Sequence, residues 1–549
     1  MTRTKFRSLC LALLLVACIV PSPVEAARVL LSESLPPSLL LALEDTAREG
    51  QPLLRPHKET PLVSRRVALM AAFEILGWEH ELTLAEKLCP DGLLACFSRF
   101  MDPPPPSPFL ENPSGFLKED DLRELLDWMR SCRTSMRWDF SIAGETSSLR
   151  VHREGTVSPE DLWEVRIQEE IDENSAWEEL HKLNETGFPV GLRQTETGLF
   201  NLVAGPFENF ANARKVYAAL PPVPGMLLVP APSLTGSHAL FWAALQTRNL
   251  DFLPAIRFAS EMGSARAGLS TIARATGAEG GINGGFFSAS GPIGTLVVDG
   301  KPLRQSFGKR SALGLARGFP PVFGNGRLNL SIESANFSLP IDRLNDPPLR
   351  DEVALFLKDE RFPVPHQPES GDSLSVPATV SFSGSFSLPP AEAVLFARGR
   401  GVESLKEIEA GGGANVHANW TDPRFDGREI VLQAGPRIVE NGAPNGAAES
   451  FDEKTRLQRH PRSLVGWDGN SLWWIVVDGR NPSHSLGLTL PECAGLALSL
   501  GLRDALNLDG GGSSALWWKD SLVNFPPGGK ERPLPYAILF GVASDSFFR

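Results

Sequence analysis

Hydrophobic positions change their period along this chain, and the change divides it. Between Ser64 and Trp78 the apolar residues Val67, Leu69, Met70, Phe73, Leu76 and Trp78 recur close to every third or fourth position, which predicts an amphipathic helix. Asp120 to Met129 repeats the pattern with Leu122, Leu125, Leu126 and Trp128, and the four prolines Pro103–Pro106 between them predict a stiff connector. Residues from about 35 to 140 therefore read as helical. From 160 to 232 the period alternates. Trp163–Ile167 reads as a strand, Ser175–Leu183 as a helix, and Phe188–Arg193 and Phe200–Ala204 as strands. Asn209–Leu220 then reads as a helix and Met226–Val229 as a last strand. That order, βαββαβ, is a split βαβ unit.

A Pro-rich stretch, Pro221 to Thr235, closes this module. From 241 to 549 strand and helix signals alternate among many glycines, which predicts one large mixed domain with a β-rich insertion at about 336–431. The expected fold class is thus α+β and multidomain: a helical N-terminal region, a βαββαβ module and a large mixed C-terminal domain. The chain's 549 residues accommodate three or four domains at roughly 100–200 residues each.

The first residues bear on compartment. Arg3, Lys5 and Arg7 precede a 12-residue apolar run, Leu9 to Val20, followed by Pro21, Ser22, Pro23 and Val24-Glu25-Ala26. The run is short for a bilayer span, which takes about 20 residues. It reads as a secretory signal peptide over residues 1–26, placing the protein outside the cytoplasm or in the cell envelope. Leu15-Val16-Ala17-Cys18 resembles a bacterial lipobox and leaves lipidation at Cys18 as the alternative. No later segment reads as a transmembrane span. Export permits disulfides, and Cys89, Cys96 and Cys132 lie close enough for one bridge, Cys89 or Cys96 to Cys132. Their spacing does not resemble a zinc site. A net charge of −12 argues against nucleic acid as a partner, since phosphate binding at scale needs a basic surface.

Four C-terminal segments carry candidate chemistry. Ile282-Asn283-Gly284-Gly285-Phe286-Phe287 pairs an amide with glycines that let a backbone approach closely, and Asp299-Gly300 reads as a hairpin turn. Arg459-His460-Pro461-Arg462-Ser463 precedes the continuous apolar run Leu472–Val477, a buried strand that exits into Asp478-Gly479-Arg480. Arg462 and Arg480 each present a planar fork suited to phosphate; a salt bridge is the alternative for Arg462, and a turn for Asp478. In Thr489-Leu490-Pro491-Glu492 the spacing is that of a capping box, so Glu492 reads as a helix cap and Cys493 as a buried apolar residue. Asn507-Leu508-Asp509-Gly510-Gly511-Gly512-Ser513-Ser514 sets three glycines between strand-like runs, at a cost in chain entropy. Its amides and hydroxyls suit an anion, with Asp509 at the mouth. A divalent cation near Asp478 and Asp509 would be chemically reasonable, but no ligand spacing establishes one, and no cofactor is expected.

Taken in order, "A-E-G-G-I-N-G-G-F-F", "R-H-P-R-S", "V-V-D-G-R", "G-L-T-L-P-E-C-A", "L-N-L-D-G-G-G-S-S" and "V-N-F-P … E-R-P-L" resemble the phosphodiester glycosidase family over about residues 250–546, with Ser463 standing where Thr is more usual. The resemblance implies hydrolysis of a sugar-1-phosphodiester bond in a glycan substrate. Arg462, Arg480 and the Gly510, Gly511 and Ser513 amides would then hold the phosphate. Asp509, with Asp478 or Glu531, would be catalytic, and Asn283, Gly284 and Asn507 would bind the sugar. Phe200–Leu220, "F-N-L-V-A-G-P-F-E-N-F-A-N-A-R-K-V-Y-A-A-L", resembles the second half of a SPOR domain, which implies peptidoglycan as a partner through Arg166, Gln168, Arg193 and Gln194. Those side chains serve equally as the solvated side of a sheet. The helical segments around Ser64–Trp78 and Phe116–Trp128 resemble an S-layer homology module, with a small helical packing domain as the alternative. Two functions follow: an exported cell-envelope phosphodiester glycosidase with a peptidoglycan-binding module, or a non-catalytic wall-binding or anchoring protein on the same fold.

Overall fold

A computed structural model describes residues 64–542, apart from 77, 90–91, 116, 146, 156–162, 185–189, 195–198, 208–209, 222, 224–225, 231–238, 248–252, 334–337, 360, 363–371, 407–412, 448, 450 and 482–483. The expected signal peptide, Cys10 and Cys18 lie outside the described residues. The chain divides into two compact units: one of residues 1–140, 152–241 and 480–486, the other of 141–151, 242–479 and 487–549.

In the first unit both expected helices form, as Arg65–Ile75 and Glu119–Ser135. Their apolar faces meet in an aromatic core: Phe73 stacks on Phe97 at 4.7 Å between ring centroids and meets Trp128 edge-on at 5.4 Å. The disulfide joins Cys89 to Cys96, and Cys132 is buried and free, a correction to the expected bridge. Helix packing accounts for the difference, because Cys132 faces inward from the helix Glu119–Ser135 and is fully buried.

The βαββαβ order is observed: strands Trp163–Ile171, Val190–Gln194, Phe200–Phe207 and Leu227–Pro230, and helices Glu173–Asn184 and Phe210–Ala219. The strands form one antiparallel sheet with Phe200–Phe207 and Trp163–Ile171 central. Val165, Ile167, Leu202 and Ala204 pack with Leu180, Leu183, Ala213 and Val216 of the helices. Alternation along the strand puts Glu164 and Arg166 on the opposite face, where they pair at 3.3 Å.

Fully buried charges mark this unit. Glu81 lies 3.1 Å from both the Arg153 Nε and the His484 Nδ1. Burial pushes the Glu81 carboxyl up, but His484 and Arg153 outweigh it and hold the group at about 2. A carboxyl held below its ordinary value stabilises the fold above that value and loses the contribution as pH falls through about 2. We expect Arg153→Ala to cost about 3–5 kcal/mol, because it leaves Glu81 buried without its strongest fixed charge. The melting temperature of the purified variant checks this, and the deficit should shrink as pH is lowered from 7 towards 3.

The second unit is built of mostly antiparallel sheets. One runs in the order Leu240–Thr247, Leu472–Val477, Arg462–Trp467, Asp504–Asn507, Arg437–Glu440. Leu472–Val477 is buried at every position, as its continuous apolar run predicts. A five-stranded sheet has Gly280–Asn283 at its centre, between Leu516–Trp518 and Tyr536–Phe540, and is covered by the helix Leu269–Ala275. A third sheet pairs Ile430–Gln433 with Leu296–Val298 and Ala312–Ala316. Asp299 and Gly300, both at positive φ, form the expected hairpin turn. The β-rich segment is a seven-stranded sheet from Leu328 to Trp420. It starts before the expected 336 because Leu328–Glu333 pairs with the distant strand Gly413–Trp420.

Candidate functional site

The site grows from the end of the central strand Gly280–Asn283. The Asn283 side chain is fully buried and makes four hydrogen bonds. Its amide nitrogen donates to the carbonyls of Gly284 (3.0 Å) and Asp509 (2.8 Å). Its oxygen accepts from the Ser463 hydroxyl (2.7 Å) and the Ala515 N–H (3.2 Å). One carboxamide therefore links the two sheets and sets the position of Asp509. Such a group has no capacity left for a sugar hydroxyl, and the sugar-binding role expected of Asn283 becomes a structural one. Asn507 is buried and donates to the carbonyls of Gly435 and Leu508, while its side-chain oxygen has no hydrogen-bond partner among the described residues.

The paired glycines after Asn283 accommodate a side chain of this protein. A Cβ on Gly284 would lie 2.3 Å from the Tyr536 ring, and the Tyr536 hydroxyl accepts the Gly285 N–H at 2.7 Å. Tyr536 is the first residue of Tyr536–Phe540 and is buried, which pushes its phenol well above the ordinary range.

The triple glycine also serves packing. A Cβ on Gly510 would meet the Pro461 carbonyl at 2.9 Å, and Gly511 adopts φ 62°. The Gly511 N–H donates to Pro461, Ser513 N–H to Gly510 and Ser514 N–H to Gly511, so these amides are engaged within the turn. That corrects the expected anion cradle. What the turn presents is Asp509. Its half-buried carboxyl is pushed up to about 6 by burial, against hydrogen bonds from Ser513 and the Gly510 N–H and the charges of Arg532 and Arg310.

Those two arginines were not singled out from sequence. Arg532 donates to the Ser513 hydroxyl at 3.2 Å. It follows Glu531 in the run Glu531-Arg532-Pro533. Arg310 follows the strand Lys301–Arg304 in a loop held by Gln433, whose oxygen accepts the N–H groups of Thr295 and Phe307 and whose nitrogen donates to the Arg310 carbonyl. Its guanidinium lies over Phe451 (4.3 Å to the centroid), Phe286 (4.8 Å) and Phe307 (5.1 Å). Three aromatic faces hold it in place by cation–π attraction and leave its charge directed at Asp509 and Glu449. No sequence spacing signals this, since the rings come from three separate segments.

The other expected residues are placed elsewhere or engaged. Arg462 is buried and donates to the carbonyls of Leu488, Thr455 and Gln458, each at 2.8 Å, so its fork joins chain segments and does not face a phosphate. Asp478 is buried and accepts from Asn524 (2.8 Å) and the Phe525 N–H (2.7 Å). Glu531 accepts from the backbone N–H of Ser270 (2.8 Å) and from its hydroxyl, at the start of the helix Leu269–Ala275. Arg480 is exposed, at φ 58°, in the segment 480–486 that belongs to the first unit. Of the three expected carboxylates, Asp509 is the one pushed up by burial against the charges of Arg532 and Arg310. Among the described residues, no group of three metal-ligating side chains includes Asp509. Thr489 and Glu492 form the expected capping box on the helix Leu490–Ser499.

Residues 389–541 match the family model for phosphodiester glycosidase. This part of the chain is similar to phosphodiester glycosidase domains. Asn283 and Arg310 precede the matched residues, whereas Asp509, Arg532 and Tyr536 lie within them. Among solved structures, a "putative exported protein" from Burkholderia pseudomallei superposes with TM-score 0.58 at 18% identity, over 74% of this chain and 96% of that one, so the fold is shared. A hypothetical protein from Synechocystis matches with TM-score 0.46 at 18% identity, over 73% and 79% of the two chains. The catalytic domain of zebrafish N-acetylglucosamine-1-phosphodiester alpha-N-acetylglucosaminidase, auto-inhibited by its pro-peptide, matches with TM-score 0.31 at 12% identity, over 64% and 81%. No curated protein matches.

Two outcomes follow from the packing of the second unit. Gly284→Ala should destabilise it by about 1–3 kcal/mol through overpacking against Tyr536, and Gly284→Ala with Tyr536→Leu should be less than additive in denaturant unfolding. Arg462→Met should lower stability by removing three hydrogen bonds to carbonyls, although Leu488 keeps the His460 N–H. Any activity measured on its folded fraction should stay near that of the wild type.

Proposed function

We propose that the C-terminal unit hydrolyses a sugar-1-phosphodiester bond, with Asp509 as the catalytic carboxyl and Arg310 and Arg532 as the phosphate clamp. The observation that carries this is a partly buried carboxyl under the charges of two guanidinium groups, from loops 222 positions apart, in a turn fixed by Asn283. The family match supports a glycosidase-type reaction.

The chemistry divides accordingly. A departing phosphodiester is weakly basic, so it needs less proton donation than an ordinary glycoside leaving group, for which paired carboxyls serve. The larger requirement is to stabilise the negative charge that gathers on the phosphate, and prepositioned guanidinium forks do that. Asp509 as carboxylate steadies the positive charge developing at the anomeric carbon or orients the attacking water. Arg310 and Arg532 are preferred to Arg462 as phosphate ligands because carbonyls engage Arg462, whereas the charges of Arg310 and Arg532 act on Asp509.

Export from the cytoplasm and peptidoglycan recognition by the βαββαβ module belong to the same proposal. Their support is the N-terminal sequence and the helix-free sheet face bearing Arg166. No described helix is long and apolar enough to cross a membrane.

Purified protein should release free sugar from N-acetylglucosamine-1-phospho-methyl diester. Asp509→Asn should lower kcat by roughly 10²–10⁴-fold, and Arg310→Met or Arg532→Met by roughly 10²–10³-fold. The wild-type rate should rise with pH through about 6, where the Asp509 carboxyl ionises. A carboxyl raised in the folded state contributes stability that is present below its ordinary value and lost as pH rises through about 6. Asp509→Asn should accordingly melt higher than wild type at pH 7.5 while losing activity. Binding of the diester without turnover by the wild type would favour the wall-binding alternative.

A further inference from the structure

Two arginines of the second unit meet on one ring. The Arg266 guanidinium lies 5.0 Å from the centroid of Phe287, and that of Arg532 lies 5.9 Å from the same centroid, so the two charges are separated by at most the sum of those distances. Backbone pairing fixes the arrangement. Ala267, next to Arg266, exchanges two hydrogen bonds with Leu534, two positions after Arg532, at 3.0 and 2.7 Å. The Arg266 side chain donates to the Ser288 carbonyl at 2.7 Å, and Arg532 to the Ser513 hydroxyl at 3.2 Å. Each of these bonds uses one of the five N–H donors of a guanidinium. Both residues reach solvent, Arg266 in part and Arg532 freely. Among the described residues neither has an ion-pair partner. The nearby carboxylate of Glu531 is turned to the N–H and hydroxyl of Ser270. In a chain of net charge −12, the protein thus leaves two neighbouring cations without an offsetting carboxylate.

We infer that Arg266 is a second anion contact, and that the preferred substrate carries a second phosphate one sugar unit beyond the scissile diester. The inference rests on the phosphodiester reading of the site, in which Arg532 grips the scissile phosphate. Two like charges held on one ring repel, and a bound anion relieves the repulsion. Each guanidinium is a planar fork that matches two phosphate oxygens, and the Phe287 ring holds both forks by cation–π attraction without consuming their donors. With Arg532 committed to the scissile phosphate, Arg266 offers its fork to the next one. In a polymer of sugars joined by phosphodiesters, successive phosphates stand one pyranose apart, a span that two guanidinium groups on one aromatic ring can bracket. A diester whose far side is neutral leaves Arg266 without a partner.

The test uses full-length protein and two diesters of N-acetylglucosamine 1-phosphate, one to the 6-hydroxyl of methyl glucoside and one to the 6-hydroxyl of glucose 1-phosphate, which differ in the second phosphate. Release of free N-acetylglucosamine gives kcat and KM for wild type, Arg266→Met and Arg266→Lys at low and high ionic strength. Wild type should show a KM about tenfold lower for the diester with the second phosphate, and the difference should shrink as salt rises. Arg266→Met should abolish it by raising that KM, with kcat on both diesters and KM for the methyl glucoside diester unchanged. Arg266→Lys should keep part of the preference, because it keeps the charge without the fork. A merely structural role in holding Ser288 and Phe287 would impair both diesters alike. Such equal losses, a wild type without preference, or a preference that survives Arg266→Met overturn the second contact while the phosphodiester reading stands. Failure of the wild type to turn over either diester overturns both.

Discussion

The second unit depends on one buried carboxamide. Asn283 ends the central strand of one sheet, accepts from Ser463 in another and donates to the carbonyl of Asp509. All four of its hydrogen-bonding positions are filled, and in a low-dielectric interior each unfilled position would cost about 1–3 kcal/mol. That penalty makes the arrangement nearly all-or-none. If the strand Arg462–Trp467 shifted, Asn283 would lose Ser463 and Asp509 would lose its place.

Rigidity of this kind explains why the glycines cluster where they do. Gly284 gives way to the Tyr536 ring, Gly510 to the Pro461 carbonyl, and Gly511 supplies a left-handed turn. Each lets one part of the protein approach another closely. The result is a frame with little freedom, in which Asp509 is partly desolvated yet not fully buried. Burial raises its affinity for a proton, and Arg310 and Arg532 restrain the rise. A carboxyl poised near neutrality beside two fixed cations is suited to a reaction in which charge separates between a sugar and a phosphate.

Buried polar residues divide into two kinds here, and the distinction decides which of them can act. Asn283, Arg462, Asp478 and Asn524 have their hydrogen bonds directed at backbone and at one another, so they hold the frame. Arg310 is held by aromatic faces, which position a guanidinium without consuming its donors. A functional arginine and a structural one thus differ in what restrains them, although their side chains are the same.

Local features were legible in the chain. The period of the apolar residues marked the helices Arg65–Ile75 and Glu119–Ser135 and all six elements of the βαββαβ module. Thr489 and Glu492 declared their capping box, and Asp299-Gly300 its turn, because each depends on residues within a few positions of one another. The Gly-rich segment around Asp509 was also visible as an unusual cost in chain entropy. Its partners were not. Whether an arginine faces a ligand or three carbonyls, whether a glycine admits a substrate or a tyrosine, and which cysteine pairs with Cys89 depend on strands and helices far apart in sequence. Only the packing of those elements, through the fully bonded Asn283 above all, decided that Arg310 and Arg532 flank Asp509 while Arg462 and Asp478 are built into the frame.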